Sequence, residues 1–133
     1  MKNPFLLGEK IYLRPLERED APLIVAWVND PEVTRMLDLY RPTNLQAEMD
    51  FIEKIYKSEH DIVLGIALKA TDALIGVTSL TEIKFRDRNA VFGIFIGEKS
   101  EWGKGYGTEA TALITGFAFE TLNLNRVRLG VYE

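Results

Sequence analysis

Gly93-Ile-Phe-Ile-Gly97 and, after the spacer Glu98–Glu101, Trp102-Gly-Lys-Gly-Tyr-Gly-Thr-Glu-Ala110 decide the reading of this chain. An apolar run ends at a glycine and a glycine-rich loop follows. Helical periodicity then begins, with Ala110, Leu113, Ile114, Phe117 and Ala118 on one face. The pattern predicts a buried strand, a loop and a helix N-terminus. Such a terminus carries unpaired amides and about half a positive charge, so it favours an anion. Glycines at 103, 105 and 107 remove Cβ atoms that would keep a phosphate from the backbone, and Lys104 adds a cation. The same glycines also suit a tight strand-to-helix turn with no ligand, and the motif alone leaves both readings open.

Two known phosphate loops do not fit. A Walker A loop needs G-x-x-x-x-G-K-[ST], but Gly97 stands one residue too far from Gly103-Lys104, and Gly105 takes the hydroxyl position. A dinucleotide fingerprint needs a third glycine where Thr108 stands, and a parallel βαβ unit that the preceding strands do not suggest.

Working outward, Asn123–Asn125 ends the helix and Arg126–Val131 reads as a last strand. Upstream, Ile62–Leu68 is continuously apolar, as in a strand buried on both faces. Thr71-Asp72 turns it into Leu74–Ile83, and Lys84–Asn89 turns that into Ala90–Ile96, an antiparallel meander. Nearer the start, Ile11–Leu16 alternates Ile11 and Leu13 with Tyr12 and Arg14, a strand with Pro15 at its end or at a sheet edge. Asp20 is placed to cap a helix with Pro22 in its first turn and Leu23, Ala26 and Trp27 on its buried stripe. Thr43-Asn44-Leu45-Gln46 matches a capping box, with Thr43 as cap, for a second helix running to about Ser58. The order β-α-α-β-β-β-α-β predicts one α/β (α+β) domain, with helices packed on a mostly antiparallel sheet.

Composition agrees with a single globular unit: 133 residues, 47% apolar and 27% charged. A net charge of −4 argues against a nucleic-acid binder, and no apolar run approaches a membrane span. There is no Cys, so thiolate nucleophiles, thiolate metal sites and disulfides are excluded. We expect a cytoplasmic protein with no metal.

The text WGKGYGTEA preceded by GIFIG, with LRPLEREDA at positions 13–21, resembles the GCN5-related N-acetyltransferases (GNAT). The likeness is to the branch of ribosomal-protein-alanine and spermidine acetyltransferases. Gly105-Tyr106-Gly107 matches the glycine half of the family's [Q/R]-x-x-G-x-[G/A] signature. The resemblance covers essentially all the chain. It implies a GNAT-like sheet with helices on both faces, and acetyl transfer from acetyl-CoA to an amine of a protein N-terminus or a polyamine-like molecule. It further implies that amides across Lys104–Thr108 hold the pyrophosphate, with Trp102 and Gly103 beside them. Backbone groups of Phe95, Ile96 and Gly97 would pair with the pantetheine arm, and the Phe95 amide would polarise the thioester carbonyl.

The chain departs from that pattern in three places. Trp102 stands where the signature has Gln or Arg. Val91 stands where relatives often carry a Glu that takes the amine's proton. Glu82 is the nearest sequence substitute for that base, or else a solvated strand-end carboxylate; His60 is a second possible base, or else a helix-end residue. Third, the family continues past the last strand with another helix and two strands, whereas this chain stops at Val131-Tyr132-Glu133. The resemblance therefore implies a GNAT domain truncated after its fifth strand, whose uncovered edge could pair with a second copy as a homodimer. Trp27, Asn29, Met36, Tyr40 and Arg41 are candidates for the acceptor pocket, with core, helix-end and loop roles as the alternatives. The function that competes with catalysis is a catalytically inactive acyl-CoA-binding or interaction module of the same fold, and a weaker alternative is an unrelated nucleotide-binding domain.

Overall fold

The computed structural model describes residues 1–35 and 42–129. Six strands form one sheet in chain order: β1 (Leu6–Leu7), β2 (Ile11–Pro15), β3 (Ile62–Leu68), β4 (Leu74–Lys84), β5 (Asn89–Ile96) and β6 (Arg126–Leu129). Between them lie α1 (Ala21–Val28), the single-turn α2 (Pro31–Thr34), α3 (Leu45–Ile55) and α4 (Tyr106–Gly116). Neighbours β1 to β5 pair antiparallel; β5 and β6 pair parallel, as the crossover through α4 requires.

The sheet is covered on both faces. One core joins Ile11, Leu13, Ile66 and Ile75 to Ala110, Ile114 and Ala118 of the α4 region. The other joins Leu16, Val63 and Leu74 to Ile24 and Trp27 of α1 and Ile52 of α3. Double coverage explains the unbroken apolar run of β3.

It also reaches the polar members of the β2 alternation. Tyr12 and Arg14 are buried as well. The Tyr12 hydroxyl and the two terminal nitrogens of Arg14 find partners the local pattern does not show, while the buried Arg14 Nε has none among the described residues. Tyr12 Oη donates to Asp72 (2.9 Å), and Arg14 grips both carboxylate oxygens of Asp20 at 2.9 Å. Asp20 is thus committed to Arg14 and to the Glu17 amide (2.7 Å), in a 3₁₀ turn that leads into α1.

The cap of α3 is Asn44 rather than Thr43: its Oδ1 accepts from Ala47 N at 2.8 Å, and Gln46 bonds Asp50 instead of closing a capping box. Tyr56 follows α3, and its hydroxyl accepts from Leu16 N (2.7 Å) and donates to Val63 O, tying the helix end to β2 and β3. After α4 the chain makes one π-helical turn, Phe117–Thr121, before entering β6. Strand β1 was not expected, since two residues carry no periodicity.

Candidate functional site

The glycine loop folds as a left-handed turn onto a helix end. Gly103 has φ +79° and Gly105 φ +83°, a region that side chains disfavour, and Gly105 is the N-cap of α4. Glu109 N–H is the first to bond within the helix, to Gly105 O at 3.1 Å. The amides of Tyr106, Gly107 and Thr108 therefore precede the first helical bond. A Cβ built on Gly103 or Gly105 would meet nothing within 4 Å, so the space above the turn is open.

That space belongs to a cleft of about 800 Å³. Among the residues expected to hold coenzyme A, Phe95, Ile96, Trp102, Gly103 and the run Gly105–Thr108 line it. Gly97 and Lys104 do not. Gly97 is buried, and a Cβ there would collide with the Trp27 indole. Lys104 Nζ pairs with Glu101 Oε2 at 3.2 Å, so the expected cation is offset by a neighbour that itself lines the cleft. Charge at the loop thus rests on backbone amides. Trp102, in place of the signature's Gln or Arg, ties the loop to the strand end through Nε1–H donated to Ile96 O (2.7 Å).

The register of β5 corrects one expectation. Phe95 lies opposite Val77 on β4, and two residues on, Gly97 N–H donates to Ile75 O at 2.9 Å. Strand groups repeat every two residues, so the Phe95 amide also faces β4. The groups turned to the other edge are those of Ile94 and Ile96, as the Trp102 bond to Ile96 O shows. Pairing with β6 covers Asn89–Phe92, and among the described residues it stops there. The open amide beside the expected reaction point is therefore that of Ile94 or Ile96, not Phe95.

A second cavity of about 370 Å³ lies between the sheet and helices α1 and α3, and it shares Ile94 and Phe95 with the cleft. Val28, Phe51, Ile55 and Val77 contribute to its mostly apolar wall; Ser79 and Thr81 add hydroxyls, and Glu48 adds a carboxylate. Burial pushes the Glu48 carboxyl up to about 6. Sequence reasoning missed Glu48, although a signal exists: it falls on the apolar stripe of α3, three, four and seven residues before Phe51, Ile52 and Ile55.

The other candidates lie elsewhere. Glu82 is exposed, with φ +51°, at an irregularity of β4 where its amide donates to Asp61, and it lines neither cavity. His60 is held at the same strand end, its Nδ1 3.3 Å from Ile83 O. Trp27 is buried, edge to face with Phe95 at 6.1 Å, and so supports the strand from beneath. Asn29 clasps Thr43 through two bonds, Nδ2 to Thr43 O (2.8 Å) and Thr43 N to Oδ1 (2.9 Å), which joins α1 to the start of α3. Met36, Tyr40 and Arg41 lie outside the described residues. No described helix is long and apolar enough to cross a membrane.

Known proteins share this fold. The profile of the acetyltransferase (GNAT) domain matches residues 10–133. The uncharacterized N-acetyltransferase p20 of Bacillus licheniformis is 32% identical over 95% of this chain and 72% of its own length. Spermidine N-acetyltransferase from Vibrio cholerae, solved with CoA and spermine, superposes with a TM-score of 0.81 at 24% identity, covering 90% of this chain and 70% of that one. A V. cholerae protein provisionally named a ribosomal-protein-serine acetyltransferase gives 0.78 at 22% identity, over 97% and 75%. The last two likenesses speak to the fold, a mixed sheet with helices on both faces. With the profile and the p20 identity beside them, the chain belongs to the GNAT acetyltransferase family.

Proposed function

We propose that the chain moves the acetyl group of acetyl-CoA directly to a primary amine, with the cleft as donor site and the second cavity as acceptor site. A protein N-terminus or a polyamine-like molecule is the acceptor the family likeness suggests. The observation that carries the reading is that the two cavities share Ile94 and Phe95 of β5 in their walls, with one of them also walled by the glycine turn. The open space over Gly103 and Gly105 and the free first-turn amides suit a pyrophosphate. The outward groups of Ile94 and Ile96 suit the amides of a pantetheine arm lying as an added strand. In this reading the amine nitrogen enters from the second cavity and attacks the thioester carbon. The Ile94 or Ile96 N–H steadies the carbonyl oxygen, the C–S bond breaks, and the thiolate leaves as thiol. No covalent enzyme intermediate is needed. Pairing of a second copy along β6, whose one described neighbour is β5, belongs to the same reading and is checked by sedimentation velocity.

Calorimetric titration with CoA, ATP and NAD, followed by thiol release from acetyl-CoA with a panel of amines, tests the proposal. CoA alone should bind, and thiol release should depend on amine. Binding of CoA with no amine-dependent release would favour the inactive acyl-CoA-binding module.

A further inference from the structure

The second cavity holds one carboxylate and otherwise little that could meet a charge. Among the described residues, Glu48 is its single ionisable lining group; the walls from α1, β3 and β5 are apolar, and β4 adds only the hydroxyls of Ser79 and Thr81 to Val77. The Glu48 side chain makes no hydrogen bond or ion pair with another described residue, in contrast to the acidic side chains of Asp20, Asp30 and Asp72. A half-buried carboxylate in an apolar wall, with no partner among the described residues, is costly unless something cationic completes it. The place is suited to that: the cavity containing Glu48 shares Ile94 and Phe95 with the cleft, beside which the thioester would lie in the proposed donor site.

We propose that Glu48 receives the ammonium group of the acceptor and takes its proton, and that the acceptor is a small monoamine on an apolar alkyl or aryl body rather than a polyamine. This rests on the two-cavity reading above. The ammonium first gives one proton to the Glu48 carboxylate, which passes it to solvent. The freed nitrogen lone pair forms the C–N bond to the acetyl carbon and the C–S bond breaks. The nitrogen's second proton ends on the departing sulfur, leaving amide and thiol. A side chain titrating near 6 is ionised at neutral pH yet basic enough to act. A polyamine would place further ammonium groups against apolar walls that, among the described residues, offer no second carboxylate to meet them.

The test uses the full chain with hexylamine, phenethylamine, spermidine and an Ala-initiated peptide as acceptors. CoA affinity by titration is measured beside kcat/KM for thiol release, for the wild type, Glu48→Gln and Glu48→Asp. The expected result is turnover of hexylamine and phenethylamine ahead of spermidine and peptide. The wild-type kcat/KM should rise with pH through about 6. Glu48→Gln should lose about 100-fold and that pH limb while CoA affinity holds, and Glu48→Asp should recover part of both. Unchanged kcat/KM in Glu48→Gln, or spermidine or the peptide as best acceptor, overturns the proposal while leaving the donor site intact. Failure of the wild type to bind CoA overturns the two-cavity reading, and this proposal with it.

Discussion

Replacing Gly105 and Gly107 by alanine, one at a time, separates the two roles a glycine can have in this loop. The residues are two positions apart and both line the cleft, yet their backbones differ. Gly105 sits at φ +83° and ψ 5° with nothing near its would-be Cβ, so an added methyl meets no atom and its whole effect is conformational. Holding a side chain in the left-handed region costs about 1–2 kcal/mol. Gly107 lies inside the first turn of α4 at negative φ, and its would-be Cβ would be 3.9 Å from Ile96 Cγ1, an ordinary contact. Alanine there should be neutral or add up to about 0.5–1 kcal/mol of stability, since glycine is the poorer helix former. The two variants should therefore differ by about 2 kcal/mol, with Gly105→Ala the weaker. Urea unfolding followed by circular dichroism measures this as a difference in midpoint at equal slope. In heat, each 1 kcal/mol corresponds to roughly 3–5 °C for a domain of this size. Equal midpoints for the two variants would refute the left-handed assignment of Gly105. A loss in Gly107→Ala as large as in Gly105→Ala would mean that crowding, not backbone angle, governs the loop.

Two further outcomes are expected. Burial works to raise the Asp20 carboxyl, but the Arg14 guanidinium and the Glu17 amide outweigh it and hold it below the usual range. Its contribution to stability is therefore full above about pH 4 and is lost as pH falls through its lower folded value. Asp20→Asn should leave Arg14, whose side chain is only 10% exposed, without its counterion and cost about 3 kcal/mol at pH 7; the gap to wild type should narrow in acid, and a pH-independent gap between urea curves would contradict this. Tyr56→Phe should cost about 1–3 kcal/mol, because Leu16 N and Val63 O lose their shared partner. Unchanged amide exchange at Leu16 in that variant would show the bond to be dispensable.

Much of the fold can be read from the chain because its strongest signals are local. The unbroken apolar run of β3, the short turns around β4 and the glycines before α4 each report their own surroundings. What was misplaced depends on distant partners. The burial of Tyr12 and Arg14 could not be read, because Asp72 and the bend that brings up Asp20 are not visible in an alternation pattern. Thr43 and Asn44 are both good caps, and only the entry path of the chain chooses the second. The glycine turn that walls the cleft was legible for the same reason as α4: glycine requirements are written residue by residue. Assigning the outward amide to Phe95 instead of Ile94 or Ile96 is a one-residue error in phase, which on a strand turns every group to the opposite edge. Glu48 was passed over because acids are expected on helices, and only its position on the apolar stripe of α3 marks it as unusual.

Apart from Val33, every described residue lining the larger cleft comes from the single uninterrupted stretch Ile94–Ala112, whereas the smaller cavity draws on Leu16, α1, α3 and three strands. The two halves of the site should therefore differ in how they survive loosening of the molecule. A pocket assembled from segments far apart in sequence exists only while the whole sheet and both covering helices stay docked; one built from neighbours persists through partial opening. If the two-cavity reading holds, turnover should fail on gentle heating or in sub-denaturing urea while coenzyme A is still held. In the two-cavity reading, acceptor choice can likewise drift through changes in α1 and α3 without disturbing the stretch proposed to grip the donor.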